Sequence, residues 1–279
     1  MISINPLELF LWTFRRNEKD VVNLYTSLSP VMQLATGGSM LNFGFWSQNH
    51  SDPISAQKNL CNVFANMAEL NSTLKVVDVG SGLSAPSKLW RDTYPDINLY
   101  DVNINFKQLI DSGFEKNIEF LNSTSTKLPF ADDSIDRVLA LESAQHFKPL
   151  ISFISESKRI LKKSGLLVIA IPISLENLSF RKLGLLKFTW SSEHYSLDTV
   201  RELVKSQGFV ISEEKLIGEF VYRPLADYYI ENRITLKKSI LEKYPNYVEK
   251  ILYKSLLSMK KASEKKYIDY VLLKCTLKS

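Results

Sequence analysis

Apolar positions recur along the chain at two spacings, one typical of helices and the other of buried strands. Near the start, the apolar residues at helical spacing are Leu7, Phe10, Leu11 and Phe14. Asn5 is a good helix cap and Pro6 suits the first helical position, so the pattern predicts an amphipathic helix. A second helical pattern over residues 55–70 leads into an apolar run at 76–79, which predicts a buried strand.

From residue 76 onward, predicted strands and helices alternate. The strands are expected at 76–79, 97–100, 118–121, 135–139, 166–171, 210–217 and 270–277. The helices between them are expected at 87–93, 105–112, 150–161 and 197–207. Such alternation predicts an α/β fold, with a Rossmann-like, seven-stranded, mostly parallel sheet covered by helices on both faces. Ligands of such sheets bind at the carboxyl ends of the strands, near the point where the strand order reverses.

The basic surplus of the chain lies in one segment. Residues 226–266 hold nine Lys and one Arg against five acids, whereas the rest of the chain is balanced. The apolar spacing there predicts a helical insertion whose lysines form a solvated face. Attraction to an anionic substrate or to a membrane surface is the alternative. A nucleic-acid partner is not expected, because binding one needs a broader basic face.

Other features narrow the class of protein. No apolar run reaches the roughly 18 residues that span a bilayer, and no signal peptide is evident, so we expect a cytoplasmic protein without integral membrane association. Cys61 and Cys275 lie in apolar segments and are expected to be buried thiols. The three histidines, His50, His146 and His194, are far apart in sequence, so no metal site is expected.

The most informative stretch is KVVDVGSG at 75–82, an apolar strand that runs into a glycine turn. Gly80 and Gly82 allow a tight turn in which backbone groups meet a polar ligand. A dinucleotide-binding turn has a third glycine or an alanine three residues later, and Ala85 satisfies that pattern. Asp101 or Asn103 would then bind a ribose at the end of the second strand. The turn alone therefore leaves an NAD enzyme open.

Five motifs in a fixed order add to the glycine turn. They are VDVGSG at 77–82, NIN at 103–105 with Gln108, LPF at 128–130 with DSID at 133–136, LESAQHF at 141–147, and SE at 155–156 with RILK at 159–162 and Gly165. With them the chain resembles the class I S-adenosylmethionine (SAM) dependent methyltransferases. The resemblance runs from about residue 25 to 218 and is to the small-molecule branch, which includes sterol, tocopherol, phosphoethanolamine and mycolic-acid enzymes.

The resemblance implies SAM as the cofactor. The residues that it implies as cofactor contacts are Tyr25, Asn42, Asp78, Gly80, Ser81, Gly82, Asn103, Ile104, Gln108, Thr124, Ser125 and Leu141. The glycine turn would hold the amino acid end of SAM, and Asn103 would bind its ribose hydroxyls. Tyr25 lies in a segment similar to one that closes over the cofactor, which would make the N-terminus a lid. Packing of Tyr25 in the core is the alternative.

Two positions depart from the family pattern. Ser84 stands where a third glycine is usual, and Thr124 stands where an Asp usually accepts a hydrogen bond from the adenine amino group. A neutral hydroxyl forms a weaker hydrogen bond than a carboxylate does. We therefore expect weaker SAM binding without its loss.

The resemblance also places candidate catalytic and acceptor residues. His146 is expected to be the general base, because imidazole titrates near neutrality. For His146, a helix-start histidine that bonds a backbone carbonyl is the alternative. Glu142, four residues earlier, would face substrate or cofactor or orient His146, with a surface or capping carboxylate as the alternative. The acceptor pocket is expected to be lined by Phe45, Trp46, Trp190, His194, Tyr195 and Tyr222.

These expectations combine into a single methyltransferase domain. Its parts would be an N-terminal helical lid and cap at 1–72, a SAM-binding core at 73–218, a helical insertion at 219–267 and the last strand at 268–279. The leading hypothesis is methyl transfer to oxygen or nitrogen, or to carbon, of a small, largely apolar metabolite of secondary or lipid metabolism. A cyclase or isomerase that uses SAM structurally and a noncatalytic binding subunit are the alternatives.

Overall fold

The computed structural model describes residues 5–47, 50–71, 74–113, 115–175, 186 and 193–278, and its strands form one sheet of seven. Their bounds are β1 Lys75–Val79, β2 Asn98–Asn103, β3 Ile118–Asn122, β4 Ile135–Leu141, β5 Leu161–Ser174, β6 Phe209–Leu216 and β7 Ile268–Leu277. The order across the sheet is β3-β2-β1-β4-β5-β7-β6. The first five strands are parallel, and β7 runs antiparallel between β5 and β6. The predicted Rossmann-like, mostly parallel sheet is confirmed.

Ten α-helices lie in the described part of the chain. Their bounds are α1 Pro6–Arg15, α2 Glu18–Thr36, α3 Pro53–Met67, α4 Ala85–Thr93, α5 Phe106–Asp111, α6 Leu150–Ile160, α7 Leu197–Ser206, α8 Tyr222–Glu231, α9 Arg233–Lys243 and α10 Asn246–Glu264. Short 3₁₀ turns lie at Ala144–His146 and Gly218–Phe220. All the strands and helices predicted from the apolar spacing form, with small shifts at most ends and a β5 that is longer in both directions.

Each central strand contributes to two cores, because successive side chains point to opposite faces of the sheet. In β1, Val76 joins the core that contains Phe64 of α3 and Trp90 of α4. Val77 joins the core on the other face, with Phe153 of α6. Both faces are covered, which explains the continuous apolar run of this strand. The two cores hold the carboxyl ends of β1 and its neighbours at one edge of the sheet.

Helices α1 and α2 follow one another across a sharp corner. Each begins at an Asn cap: the side chains of Asn5 and Asn17 each accept a backbone N–H at 2.9 Å. Arg15 at the end of α1 pairs with the buried carboxylate of Asp20 at 2.6 Å. The corner turns α2 back over the carboxyl ends of the strands.

The insertion between β6 and β7 consists of α8, α9 and α10. Arg233 pairs with the buried carboxylate of Glu249 at 2.8 Å, and Lys260 pairs with Asp227 at 2.5 Å. Most of the remaining lysines of this segment are exposed, which favours the solvated face over a binding role for them. In the described part of the chain, none of the helices has the length and apolar content needed to cross a membrane.

Two carboxyl groups lie side by side inside the sheet. Asp78 and Asp101 are paired across β1 and β2, and both side chains are buried. The Ser87 hydroxyl lies 2.6 Å from Asp101 Oδ1 and 3.2 Å from Asp78 Oδ2. Burial raises the pKa of Asp101 to about 6, and burial together with the charge of Asp101 raises the pKa of Asp78. A proton held between the two groups relieves their repulsion.

This pair predicts a pH-dependent stability. Between about pH 4 and 6 the folded chain holds a proton on Asp101 that the unfolded chain has lost, so stability falls as the pH rises through this range. The side chain at position 101 is neutral at every pH in Asp101→Asn. The fall in the free energy of unfolding over this pH range should therefore be smaller by about 1–3 kcal/mol in the variant. Urea unfolding at pH 4.5 and 7.5 checks this, with the exposed Asp96→Asn as the control. Equal pH dependence in wild type and Asp101→Asn would contradict it.

Candidate active site

A cavity of about 120 Å³ opens at the carboxyl ends of the parallel strands. It lies where the strand order reverses between β1 and β4, with the glycine turn at its floor and α2 on its opposite side. The predicted site residues that line it are Tyr25, Asn42, Gly80, Ser81, Gly82, Asn103, Ile104, Gln108, Thr124, Ser125, Leu141, Glu142 and His146. Residues that are far apart in sequence are thus brought together at one edge of the sheet.

The glycine turn is shaped by close backbone contacts. Gly80 has φ 78°, and its N–H donates to the carbonyl of Val102 at 2.7 Å. A Cβ at Gly80 would lie 2.5 Å from Cβ of Ser143, so glycine is required there for both space and conformation. The hydroxyl of Ser81 is buried and has no hydrogen-bond partner among the described residues. An unpaired buried hydroxyl at a cavity is available to a polar ligand.

Two of the predicted residues lie behind the turn. Asp78 does not line the cavity, because its carboxylate faces Ser87 and Asp101 inside the sheet. In this arrangement Asp78 is therefore not placed to contact a ligand in the cavity directly. Ser84, at φ 57°, likewise turns away, with its hydroxyl 3.3 Å from that of Ser112. Ser84, which stands in place of the usual third glycine, does not line the cavity.

Asn103 connects the ends of the first two strands. Its amide nitrogen donates to the Gly82 carbonyl at 3.0 Å and to the Gln108 side-chain oxygen at 3.1 Å. Its side-chain oxygen accepts the N–H of Asn105 at 3.2 Å. Because both amide hydrogens are used within the protein, Asn103 can offer a ribose hydroxyl only its oxygen as an acceptor.

Helix α2 closes the cavity through four side-chain hydrogen bonds. The pairs are Glu18 with Thr124, Tyr25 with His146 at 2.7 Å, Thr26 with Asn105 at 3.0 Å, and Ser29 with Gln108 at 3.1 Å. The partners of α2 belong to the segments that follow β2, β3 and β4. One helix therefore spans the whole mouth of the site.

Glu142 is a carboxyl group held under this helix. It has φ 52°, accepts the backbone N–H of Phe43 at 2.8 Å and accepts the hydroxyl of Tyr270 at 3.0 Å. Burial raises the pKa of Glu142 to about 8, against the lowering effect of these two hydrogen bonds. The group is therefore mostly neutral at pH 7, and a bound cation would favour its ionised form.

His146 meets Tyr25 at the end of the cavity. The tyrosine hydroxyl lies 2.7 Å from His146 Nε2, and the two rings meet edge to face. Burial lowers the pKa of His146 to about 4, with a further contribution from the charge of Arg16. Burial also raises the pKa of Tyr25, so the phenol keeps its proton. With the proton of the neutral imidazole on Nδ1, the tyrosine is the donor and Nε2 is the acceptor.

A second, larger cavity of about 450 Å³ lies on the other side of His146. Its walls come from α1, α2, α8 and α10 and include Leu28, Met32, Tyr228, Val248 and Met259. Tyr25, Asn42 and His146 line both cavities. None of the described residues that line the larger cavity is Asp, Glu, Lys or Arg. Its chemistry suits an uncharged, largely apolar molecule.

Three of the predicted acceptor residues, Phe45, Trp46 and Tyr222, do not line this cavity. Phe45 packs on Phe220, Trp46 on Tyr228 and Tyr222 on Phe43, with ring centroids 5.5–5.8 Å apart. Phe43 and Tyr228 line the cavity, so Tyr222 and Trp46 support its wall from behind, whereas Phe220, the partner of Phe45, is not among the lining residues.

Two of the remaining predicted acceptor residues, His194 and Tyr195, belong to the segment before α7. Tyr195 donates its hydroxyl to the carbonyl of Phe147 at 2.9 Å, and His194, at φ 54°, precedes it. Neither lines the two cavities described above. Trp190 lies outside the described residues.

Sequence reasoning missed a polar group at the meeting point of the cavities. Gln145 lines the larger cavity, and its side-chain oxygen is buried without a hydrogen-bond partner among the described residues. Its amide nitrogen donates to the carbonyl of Glu142 at 2.6 Å, which fixes the direction of the side chain. The motif LESAQHF contains this residue, but the predicted catalytic role went to its neighbours. A buried acceptor here can take a hydrogen bond from a ligand hydroxyl.

Comparisons with known proteins agree with this geometry. A family model described as a methyltransferase domain matches residues 77–169, from the glycine-turn strand through β5. The chain is 26% identical over 262 residues to the erythromycin 3''-O-methyltransferase of Saccharopolyspora erythraea, with 87% of this chain and 86% of that protein covered.

Solved structures share the fold. A cyclopropane synthase from Mycobacterium tuberculosis superimposes with a TM-score of 0.80 at 16% identity, over 93% of this chain and 98% of the other. The (4+2)-cyclase SpnF superimposes with a TM-score of 0.77 at 17% identity, over 94% of this chain and 97% of the other. At such identities the likeness concerns the fold alone, and it does not favour a cyclase over a methyltransferase.

The chain is a class I SAM-dependent methyltransferase that acts on a small molecule. The smaller cavity suits this cofactor. Its glycine turn leaves no room for a side chain at Gly80, and the Ser81 hydroxyl can form a hydrogen bond with a ligand. Asn103 and Gln108 present amide groups beside the turn, and Ile104 offers an apolar surface for a ring.

Substitution of Gly80 tests the role of the turn. A methyl group in Gly80→Ala meets Ser143 and strains the backbone, so SAM affinity should fall at least about tenfold. Gly113→Ala is the matched control: Gly113 also has positive φ, at 73°, but a Cβ there meets nothing within 4 Å. Calorimetric titration of both variants with SAM measures the effect. Wild-type affinity in a folded Gly80→Ala protein would contradict the assignment.

Proposed function

We propose that the chain transfers the methyl group of SAM to a hydroxyl oxygen of a bulky, neutral and largely apolar natural product. The observation that carries this proposal is the meeting of two cavities at Tyr25 and His146. The first cavity has the polar groups that suit SAM, and the second is large and uncharged. The relative from Saccharopolyspora erythraea is named as an erythromycin 3''-O-methyltransferase, which supports oxygen as the methylated atom.

The larger cavity limits the acceptor. An ionised acceptor would lose its hydration there without gaining a charged partner, which is costly. A neutral acceptor with one hydroxyl near Gln145 and His146 would satisfy the unpaired oxygen of Gln145. The apolar walls from α1, α2, α8 and α10 would then bury the remainder of the molecule. A polyketide or a sugar-bearing macrolide has this combination of size, neutrality and hydroxyl groups.

When bound, SAM supplies a methyl group that is already activated on a sulfonium. The protein then has to exclude water, align the acceptor oxygen and receive its proton. Helix α2 excludes water by covering the mouth of the site. Gln145 accepts a hydrogen bond from the acceptor and so orients it, while His146 lines both cavities and offers a basic ring nitrogen.

The low pKa of His146 defines what it can do. At pH 7 the imidazole is neutral, and with its one proton on Nδ1 the Nε2 atom can accept another. In that tautomer Tyr25 donates to Nε2, and the acceptor hydroxyl must take its place or share it. A base with a pKa of about 4 holds a proton weakly, so we assign it alignment of the hydroxyl and late receipt of the proton.

Glu142 acts mainly through its partners in this proposal. Its hydrogen bonds hold the Phe43 backbone and Tyr270, and Phe43 in turn lines the acceptor cavity. Since Glu142 also lines the SAM cavity, a bound sulfonium would draw it toward its ionised form. Its catalytic role stays a prediction.

Two broader predictions accompany the function. Residues 1–72 would form the lid and cap, 73–218 the SAM-binding core and 219–267 the acceptor cap, in agreement with the cavity walls that α1, α2, α8 and α10 provide. A cytoplasmic location and the lack of a nucleic-acid partner also stay predictions.

Substitution of His146 tests its part in the reaction. His146→Ala should lower kcat by roughly 10²–10⁴-fold and leave SAM affinity within a few-fold, because the side chain acts on the acceptor. The wild-type rate should stay level as the pH falls from 7 to 5, since burial holds the pKa of His146 near 4. His50→Ala is the control. A rate that falls with a midpoint near pH 6.5 would contradict the neutral buried imidazole.

The acceptor class is tested by an activity screen. Purified protein is incubated with SAM that carries a ¹³C-labelled methyl group and with matched pairs of macrolides. The two members of a pair differ only in whether they carry a neutral hydroxyl or an ionised group. We expect labelled O-methyl ethers of neutral hydroxyl-bearing acceptors, identified by mass and by the carbon chemical shift of the methyl group. SAM that stays intact while an acceptor cyclises would instead support a cyclase. Transfer only to carboxylates or phosphates would contradict the uncharged cavity.

A further inference from the structure

Two acids line the SAM cavity, and they lie at its opposite ends. Glu142 lies near His146 and is engaged by Phe43 and Tyr270. Glu18 lies at the other end, in the first turn of α2, beside the loop that follows β3. The hydroxyl of Thr124 in that loop donates to Glu18 Oε1. Glu18 is the one of the two acids with no place in the proposed reaction.

The end of the cavity at Glu18 has the chemistry of a site for a planar ring. Val21, Val22 and Ile104 supply apolar surface from two sides, and Ser123 and Ser125 supply hydroxyl and backbone groups at the edge. The adenine of SAM is planar and presents at one edge an amino group that needs an acceptor. Hydroxyls satisfy this need weakly, whereas a carboxylate forms a charge-assisted hydrogen bond.

Glu18 has the capacity for that bond. A carboxylate offers about four acceptor positions on two oxygens, and Thr124 occupies one of them. The hydroxyl hydrogen of Thr124 is already donated to Glu18. The hydroxyl oxygen of Thr124 lies 3.2 Å from the hydroxyl oxygen of Thr126. The acid that a neutral Thr124 lacks is thus present a few ångströms away, on a different element of the fold.

We propose that Glu18 is the acceptor for the amino group of adenine, supplied by helix α2 across the cavity from Thr124. This inference rests on the assignment of the smaller cavity to SAM. It adds a specificity residue that lies outside the methyltransferase motifs of residues 77–169.

The placement of Glu18 on α2 couples recognition to closure. Glu18 meets Thr124 while Tyr25, Thr26 and Ser29 of the same helix meet their own partners. A ligand that contacts Glu18 therefore favours the closed arrangement of the whole helix. A ligand without the amino group would lose both the hydrogen bond and part of the closure.

Calorimetric titration with two ligands tests the proposal. S-adenosylhomocysteine carries the amino group, and its deaminated analogue S-inosylhomocysteine carries a carbonyl oxygen at the same position. Wild type should bind the amino ligand at least roughly tenfold more tightly, since the carbonyl faces a carboxylate. Glu18→Gln should weaken the amino ligand roughly tenfold and strengthen the carbonyl ligand, because the new amide can donate to it.

Two further variants complete the design. Glu8→Gln alters an exposed acid of α1 that lines none of the cavities described, and it should leave both affinities unchanged. Adding Thr124→Asp to Glu18→Gln should restore the preference for the amino ligand by placing a carboxylate on the facing loop. Recovery of this preference in a folded double variant supports an adenine contact over a role of Glu18 in helix stability.

The outcomes separate this inference from the proposed function. If wild type binds S-adenosylhomocysteine and Glu18→Gln changes neither affinity, the role of Glu18 is overturned and the cofactor assignment stands. If Glu18→Gln weakens both ligands equally, Glu18 acts only through closure and adenine recognition is overturned. If wild type binds neither ligand, the cofactor assignment and this inference fall together.

Discussion

The active site depends on the hydrogen bonds that hold helix α2 over the carboxyl ends of the strands. Tyr25 meets His146 at 2.7 Å, and Ser29 meets Gln108 at 3.1 Å, with Glu18 and Thr26 bonded to neighbouring loops. Hydrogen bonds of this kind contribute about 1 kcal/mol each to stability. Four of them on one helix are enough to favour a closed state, and few enough to let it open for ligands.

Closure by one helix explains why two cavities of different chemistry share a wall. On one side of α2, the polar groups around the glycine turn suit a charged, hydrogen-bonding cofactor. On the other side, Leu28 and Met32 of the same helix face α8 and α10 across an apolar space. Tyr25 and His146 stand where the two spaces meet, which is where a methyl group would pass from one ligand to the other.

The positions of the strands along the chain and of the glycine turn could be predicted from sequence because their causes are local. Alternating apolar runs define a strand, and a residue such as Gly80 marks the turn after it. Helix α2 could also have been found, since Asn17 is a cap with acids in the first turn behind it. Local patterns do not reveal, however, that Glu18 contacts a loop that is 106 positions away.

The acceptor site was harder to predict for a related reason. Phe45, Trp46 and Tyr222 were expected to line it, but Tyr222 and Trp46 pack behind Phe43 and Tyr228, and Phe45 packs on Phe220. The true wall combines one face of α2 with faces of α8 and α10, whose apolar residues have the spacing of any buried helix. Only the packing of these helices decides whether such a face meets a core or a cavity.

Hydrogen exchange of the protein with and without S-adenosylhomocysteine tests the central claim most directly, because it reports on α2 and on the glycine turn together. The ligand should slow exchange of backbone amides in Glu18–Thr36 as well as at the glycine turn, while Leu197–Ser206 on the far face stays unchanged. Protection confined to the turn, with α2 exchanging as before, would show that this helix does not close the site.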